Sequence, residues 1–250
     1  MEIILISSLI INILFVLIAV TLIAKKGGFP YLIQKISDNF NPKQDNWDDL
    51  FAPAYVDKTS QFKILPKIEN AIVFLGDSIT AQGEWTELLA NYNIQNNIQN
   101  RGISGDTVTR ILRRLDTLLE SKPRQVFLMV GINDLINAKK TIDETVAGYK
   151  EILMQFQTKI PDTQIFIQSV LPVNNQAYIF WQDNQKVISL NLKLKALAQE
   201  FDYQYIDIFF HLLDAQGQLD AKYTTDGLHL NGQAYLVWKA TIKEYIAILT

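Results

Sequence analysis

Four short stretches of this 250-residue chain put reactive or hydrogen-bonding residue types where a chain reversal is expected. They are Gly76-Asp77-Ser78-Ile79-Thr80, Asn100-Arg101-Gly102-Ile103-Ser104-Gly105-Asp106, Gly131-Ile132-Asn133-Asp134 and Thr225-Asp226-Gly227-Leu228-His229. A serine hydroxyl becomes a nucleophile when a neighbouring imidazole takes its proton. In the first stretch Gly76 permits a sharp turn, and Ser78 can stand at the mouth of a helix whose unpaired N–H groups favour a developing oxyanion. The same Asp77 and Ser78 serve equally well as a helix N-cap. Gly102 can bring a backbone N–H close to a ligand, and the Asn133 amide is a neutral donor suited to a tetrahedral intermediate, although each alone also reads as a turn residue. Asp226 stands three residues before His229, so on a bend eased by Gly227 it can accept the Nδ1 proton and leave Nε2 facing Ser78. Of the two histidines, His211 lies in a Phe-Phe-His-Leu-Leu run with no carboxylate at that spacing and reads as a packing or surface residue.

The elements that must position these residues follow from periodicity. Ala71–Leu75, Gln125–Val130, Gln164–Val170 and Tyr203–Ile208 are short apolar runs of the kind that form buried strands, with a weaker candidate near Ile94–Asn100. Segments of helical period lie between them: Thr107–Ser121, Asp143–Ile160, Lys186–Phe201 and Gly232–Ile248. In the first of these Val108, Ile111, Leu112, Leu115, Leu118 and Leu119 share an apolar face, which leaves Arg110, Arg113 and Arg114 on an expected solvated face. Alternation of strand and helix implies an α/β fold with a parallel sheet covered on both faces, its ligand site beyond the C-terminal ends of the strands. A flavodoxin-like nucleotide or flavin binder has the same alternation, but GDSIT matches neither Gly-rich phosphate-loop pattern.

With a GDS turn, a glycine after the second strand, a GxND turn after the third and a C-terminal DxxH in this order, the chain resembles the SGNH, or GDSL, hydrolases. The resemblance runs from about Glu69 to the C-terminus. It implies a flavodoxin-like, three-layer α/β/α sandwich with a five-stranded parallel sheet. It also implies a catalytic triad of Ser78, Asp226 and His229, with an oxyanion hole made by the N–H groups of Ser78 and Gly102 and the side chain of Asn133. The run NRGISGDT further resembles the platelet-activating-factor acetylhydrolase and lysophospholipase-like branch. The expected activity is hydrolysis of small-molecule or lipid esters through an acyl-enzyme, without metal or organic cofactor. A non-catalytic binding protein of the same fold is the alternative, and the filling of all five positions argues against it.

Composition sets the remaining bounds. At 48% apolar and 20% charged residues the chain is a folded protein, and its net charge of −3 offers no basic footprint for nucleic acid. With no cysteine, thiolate nucleophiles, disulfides and thiolate metal sites are excluded. Three regions are expected: a membrane anchor in 1–26, a Pro- and Gly-containing juxtamembrane connector with one short helix in 27–66, packed in part on the domain because Phe40, Trp47, Phe51 and Tyr55 would be costly to leave wet, and the hydrolase domain in 67–250. Ile3–Ala24 is 22 residues without a charge, long enough as a helix to cross a ~30 Å hydrocarbon core. A cleaved signal fits less well, because Glu2 is the first charge and no A-x-A-like site precedes Lys25-Lys26. Lys25, Lys26 and Lys35 on the C-terminal flank favour a cytoplasmic catalytic domain. Little length remains in 67–250 for a lid, so the site is expected to be shallow and open. Oligomeric state is not legible from these features.

Overall fold

In the computed structural model the residues described are 47–90, 97–176 and 181–246, together with Thr21, Ala24, Lys25 and Gly28. The chain divides into two compact units, Met1–Leu50 and Phe51–Thr250, and apart from the first turn of the helix Trp47–Ile64 everything that follows lies in the second. Almost all of the expected anchor, Ile3–Ala24, lies outside the described residues. Among the described residues no helix is long and apolar enough to cross a membrane.

Five parallel strands form one sheet in the order β2-β1-β3-β4-β5, with β1 Ile72–Gly76, β2 Ile98–Gly102, β3 Gln125–Met129, β4 Gln164–Gln168 and β5 Gln204–Ile206. β1 and β3 are buried at every residue, as a parallel sheet covered on both sides requires. Register aligns Phe74 with Phe127 and Phe127 with Phe166. Their rings stack at 5.1 and 4.6 Å between centroids, and Trp85 extends the row from Phe74 at 4.0 Å. Offset stacks of this kind add to the burial of large aromatic surfaces.

The helices are α1 Trp47–Ile64, α2 Ser78–Ala81, α3 Trp85–Leu88, α4 Val108–Arg113, α5 Leu115–Ser121, α6 Ile132–Ile136, α7 Ile142–Lys159, α8 Asn184–Glu200 and α9 Gly232–Ile246. Seven of them fall into two groups: α4, α5, α6 and α8 pack around α7, while α9 packs with α3; α2 lies against β1 and β2. α7 begins with a complete capping box, in which Thr141 Oγ1 accepts from the Glu144 N–H and Glu144 accepts from the Thr141 N–H. α9 is fixed to α2, α3 and the end of β4. Its Tyr235 hydroxyl donates to Ile79 O at 2.6 Å, Trp238 meets Trp85 edge-on at 4.9 Å, and Trp238 Nε1 donates to Gln168 Oε1 at 2.7 Å.

Two expectations are corrected. The connector's helix, α1, spans 18 residues and carries Pro53 in its interior. A proline removes one intrahelical bond, and packing supplies the stability that propensity lacks. Tyr55 donates its hydroxyl to Arg110 O at 3.0 Å and Phe62 is buried, so these residues belong with the sheet unit. The second correction concerns Thr107–Ser121, which is two helices that break at Arg114, where φ is −118°. Only Arg113 is exposed; Arg110 and Arg114 are buried. The physical reason is that Arg114 turns inward to a buried carboxylate, Asp106, at 2.7 Å.

Candidate active site

The expected site residues meet at the C-terminal ends of β1, β2 and β3. Ser78 opens α2 directly after β1; Asp77 is its N-cap, with Oδ1 accepting from Ile79 N–H at 3.0 Å. The N-cap and the nucleophile candidate are therefore adjacent residues with separate tasks. At four residues α2 contributes little dipole, and what matters is that its first N–H groups have no intrahelical acceptor.

Ser78 Oγ lies 3.0 Å from His229 Nε2, and His229 Nδ1 lies 2.7 Å from Asp226 Oδ2. The loop that presents this pair is tied down on every side. Asp226 Oδ1 accepts from the N–H groups of Leu228 and His229, both at 2.8 Å, and Trp181 Nε1 donates to Asp226 O at 2.8 Å. Asn174 N–H donates to Gly227 O at 2.8 Å. Gly227 takes φ +87°, and a Cβ there would stand 2.3 Å from Asn174 O, so both backbone and space demand glycine. Burial raises the Asp226 carboxyl, but the hydrogen bonds from the His229 ring and the two amides outweigh it and hold it below the ordinary carboxylate value. It is thus an anion facing the imidazole at neutral pH. His211 is exposed, in keeping with the surface role expected of it.

Asn133, on α6, is buried and its amide orientation follows from its partners. Asn137 Nδ2 donates to Asn133 Oδ1 at 2.7 Å, and Asn133 Nδ2 donates to Asp106 O at 3.0 Å. One Nδ2 hydrogen is left to point elsewhere. Gly102 closes β2 beside Gly76. Its N–H donates to Asn100 Oδ1 at 2.9 Å, while Asn100 Nδ2 is anchored on the carbonyls of Thr80, Ala81 and Gly83 at 3.0–3.2 Å. A Cβ on Gly102 would lie 2.2 Å from Ala81 N and 2.8 Å from Asp77 O, both backbone atoms of the turn that carries Ser78. Gly102→Ala is therefore expected to overpack this junction by about 1–3 kcal/mol and to lower Tm by roughly 2–12 °C in a thermal melt. A variant as stable as the parent would show that the turn yields freely.

Three carboxylates lie buried under the site, Asp77, Asp106 and Asp134. Each is raised by burial; Asp77 reaches about 7, pushed further by its two acidic neighbours, and Asp106 about 6 despite Arg114 beside it. A carboxyl whose folded value is raised binds its proton more tightly folded than unfolded, so its contribution to stability is lost as pH rises through that value. The prediction is a Tm that falls between about pH 4 and 7, with a shallower fall in Asp77→Asn, which keeps an acceptor for Ile79 N–H. Identical slopes in parent and variant would remove Asp77 from the account. Sequence reasoning offered Asp77 as an N-cap, which it is, but did not find Asp106, Arg114 or Trp181 as supports, although Asp106 and Asp134 sit inside the motif turns.

Comparison with known proteins places this geometry in context. The profile of the GDSL-like Lipase/Acylhydrolase family matches residues 74–237. The chain is 29% identical over 169 residues to the platelet-activating factor acetylhydrolase IB subunit alpha2 of Rattus norvegicus, covering 67% of this chain and 72% of that one. A Streptococcus pneumonia protein solved as a candidate platelet activating factor superposes with a TM-score of 0.73 at 28% identity, over 80% of this chain and 95% of that one. An acetylxylan esterase from Geobacillus stearothermophilus, solved as a catalytic mutant, shares the fold with a TM-score of 0.58 at 20% identity, over 72% and 96% of the two chains.

Proposed function

The chain belongs to the GDSL-like lipase/acylhydrolase family and is an ester hydrolase, and from that premise we propose that Ser78 is its nucleophile, His229 its general base and Asp226 the partner of that base. The supporting observation is the continuous relay from Ser78 Oγ through both His229 nitrogens to Asp226 Oδ2, at 3.0 and 2.7 Å. In this mechanism Nε2 takes the Ser78 proton and the alkoxide attacks the ester carbonyl. The N–H groups of Ser78 and Gly102 and the Asn133 amide receive the oxyanion, the Gly102 N–H being shared between the oxyanion and Asn100 Oδ1. The imidazolium, stabilised by Asp226, protonates the leaving alcohol, and water then repeats the sequence on the acyl-enzyme.

Asn133→Ala is expected to lower kcat by roughly 10²–10³-fold with little change in KM, since the amide acts on the transition state. An Asn133→Ala enzyme at the parent rate with Gly102 intact would remove Asn133 from the oxyanion hole.

The substrates we propose are acetyl or short acyl esters on small molecules or lipids. Supporting this are the relatives' names, an acetylhydrolase and an acetylxylan esterase, and the openness of the dyad, whose His229 and Asp226 side chains are 31% and 40% exposed. Rates on p-nitrophenyl esters of increasing chain length test it: a maximum at acetyl or butyryl is expected, and a maximum at long chains would redirect the assignment to a lipase. For residues 3–24 we propose a single-pass anchor with the catalytic domain on the cytoplasmic side. Its support is the uncharged 22-residue run and the lysines that follow it. Protease protection in sealed membrane vesicles reads the side directly.

A further inference from the structure

Arg114 and Asp106 form an ion pair whose side chains are 4% and 0% exposed. Desolvation consumes much of what such a pair gains by attraction, so burial of this kind is a poor device for stability alone. Its contacts suggest another purpose. Arg114 Nε donates to Asp106 Oδ2 at 2.8 Å, while Nη2 donates to Arg101 O at 2.8 Å and to Gly76 O at 3.2 Å.

The Arg101 carbonyl belongs to the same planar trans peptide as the Gly102 N–H, which must point the opposite way. A guanidinium that grips this oxygen fixes the direction of that N–H and polarises it into a stronger donor. Gly76 O lies one peptide before the Asp77-Ser78 turn. At the other end of the pair, Asp106 O receives Asn133 Nδ2 at 3.0 Å. The ring of Phe62 covers both guanidinium groups, 4.8 Å from Arg101 and 5.8 Å from Arg114. Resting on the assignment of Gly102 and Asn133 as oxyanion donors, we propose that Arg114, held by Asp106, is a positioning residue that aims both donors from behind without touching substrate.

The test uses the full chain and four variants: Arg114→Lys, the double variant Arg114→Met with Asp106→Leu, Ser78→Ala and Asn133→Ala. The double variant removes both buried charges together, a replacement that is often neutral for stability, and keeps the Asp106 main chain. Two quantities are read: kcat and KM on p-nitrophenyl acetate, and inhibition by a short alkyl boronic acid, whose adduct on serine presents a tetrahedral oxygen to the donors. The expectation is a kcat loss of about ten- to a hundred-fold in both Arg114 variants, part of what removal of a donor costs. KM should stay within about threefold and boronate affinity should fall by a similar factor to kcat.

A folded Arg114 variant with parental kcat, or with a loss confined to KM, overturns the proposal. So does a kcat loss with unchanged boronate affinity, which a merely structural role would give. Should neither variant fold, the parent protein decides: its Arg114 guanidinium proton resonances should shift together with the Gly102 amide when boronate binds. Guanidinium resonances that stay put beside a shifted Gly102 amide overturn the role of Arg114, while an unmoved Gly102 amide overturns the donor assignment it rests on. Activity that survives Ser78→Ala overturns the nucleophile assignment instead, whereas an inert Ser78→Ala beside full-rate Arg114 variants overturns only the role of Arg114.

Discussion

Ser78→Ala is expected to lower kcat for p-nitrophenyl acetate by roughly 10⁵–10⁶-fold, the largest effect of any single change in the domain. Removal of Oγ deletes the atom that would bond to the acyl carbon. It leaves the backbone of α2, the N-cap at Asp77 and the donors of Gly102 and Asn133 as they are, so the fold should be intact. What survives is whatever the donors and bound water achieve without a nucleophile, on the order of 10³-fold over the uncatalysed reaction. The comparison is decisive because the hydroxyl is 3.0 Å from a single imidazole nitrogen and no rival histidine carries a carboxylate at motif spacing. Retention of a tenth of the parental rate would place the chemistry on another residue.

Asp226→Asn should cost about 10⁴-fold in kcat while leaving Tm nearly unchanged. The two roles of this side chain are carried by different oxygens. Oδ1 accepts from the Leu228 and His229 amides and holds the loop, a task that an asparagine carbonyl can take over. Oδ2 faces His229 Nδ1, and in the variant an NH₂ group would face it instead. The imidazole must then turn Nδ1 into an acceptor, which puts its proton on Nε2 and leaves no base for the Ser78 hydroxyl. Hydrolysis within tenfold of the parent rate would mean that His229 finds its tautomer without Asp226. A rate loss matched by a large fall in Tm would mean instead that the carboxylate serves the loop rather than the ring.

Ser78, Gly102 and Asn133 were legible as candidates because a parallel α/β sheet delivers whatever follows its strands to one edge, whereas Asp226 and His229 lie well beyond β5 and were placed with them by the family resemblance. Three motif turns could thus be assigned to a common place before any contact was known. The strands were legible for a related reason: burial on both faces leaves a run such as Ile72-Val73-Phe74-Leu75 with no polar member. What supports the site was not legible. Arg110 and Arg114 fall off the apolar stripe that runs from Val108 to Leu119, and periodicity assigns such positions to water; only the tertiary placement of Asp106 makes an inward arginine favourable. Pro53 hid the length of α1 for a similar reason: a breaker is a local signal, whereas the burial of Phe62 is tertiary, and only the packing of Tyr55 was expected. Trp181 and Asn174 brace the Asp226 loop across gaps in sequence that no motif spans.

The placement of α9 against the nucleophile turn has a consequence for timing. A ribosome releases Ser78 long before its base, which lies 151 residues further along the chain, and the Tyr235 hydroxyl that grips Ile79 O comes later still, at a separation of 156. Until that later stretch of chain is in place, the Ser78 hydroxyl lacks the imidazole that it meets at 3.0 Å. With His229 as the proposed base, hydrolysis requires that residues 226–246 have docked beside the nucleophile turn, so the onset of turnover during refolding should report these long-range contacts rather than formation of the sheet.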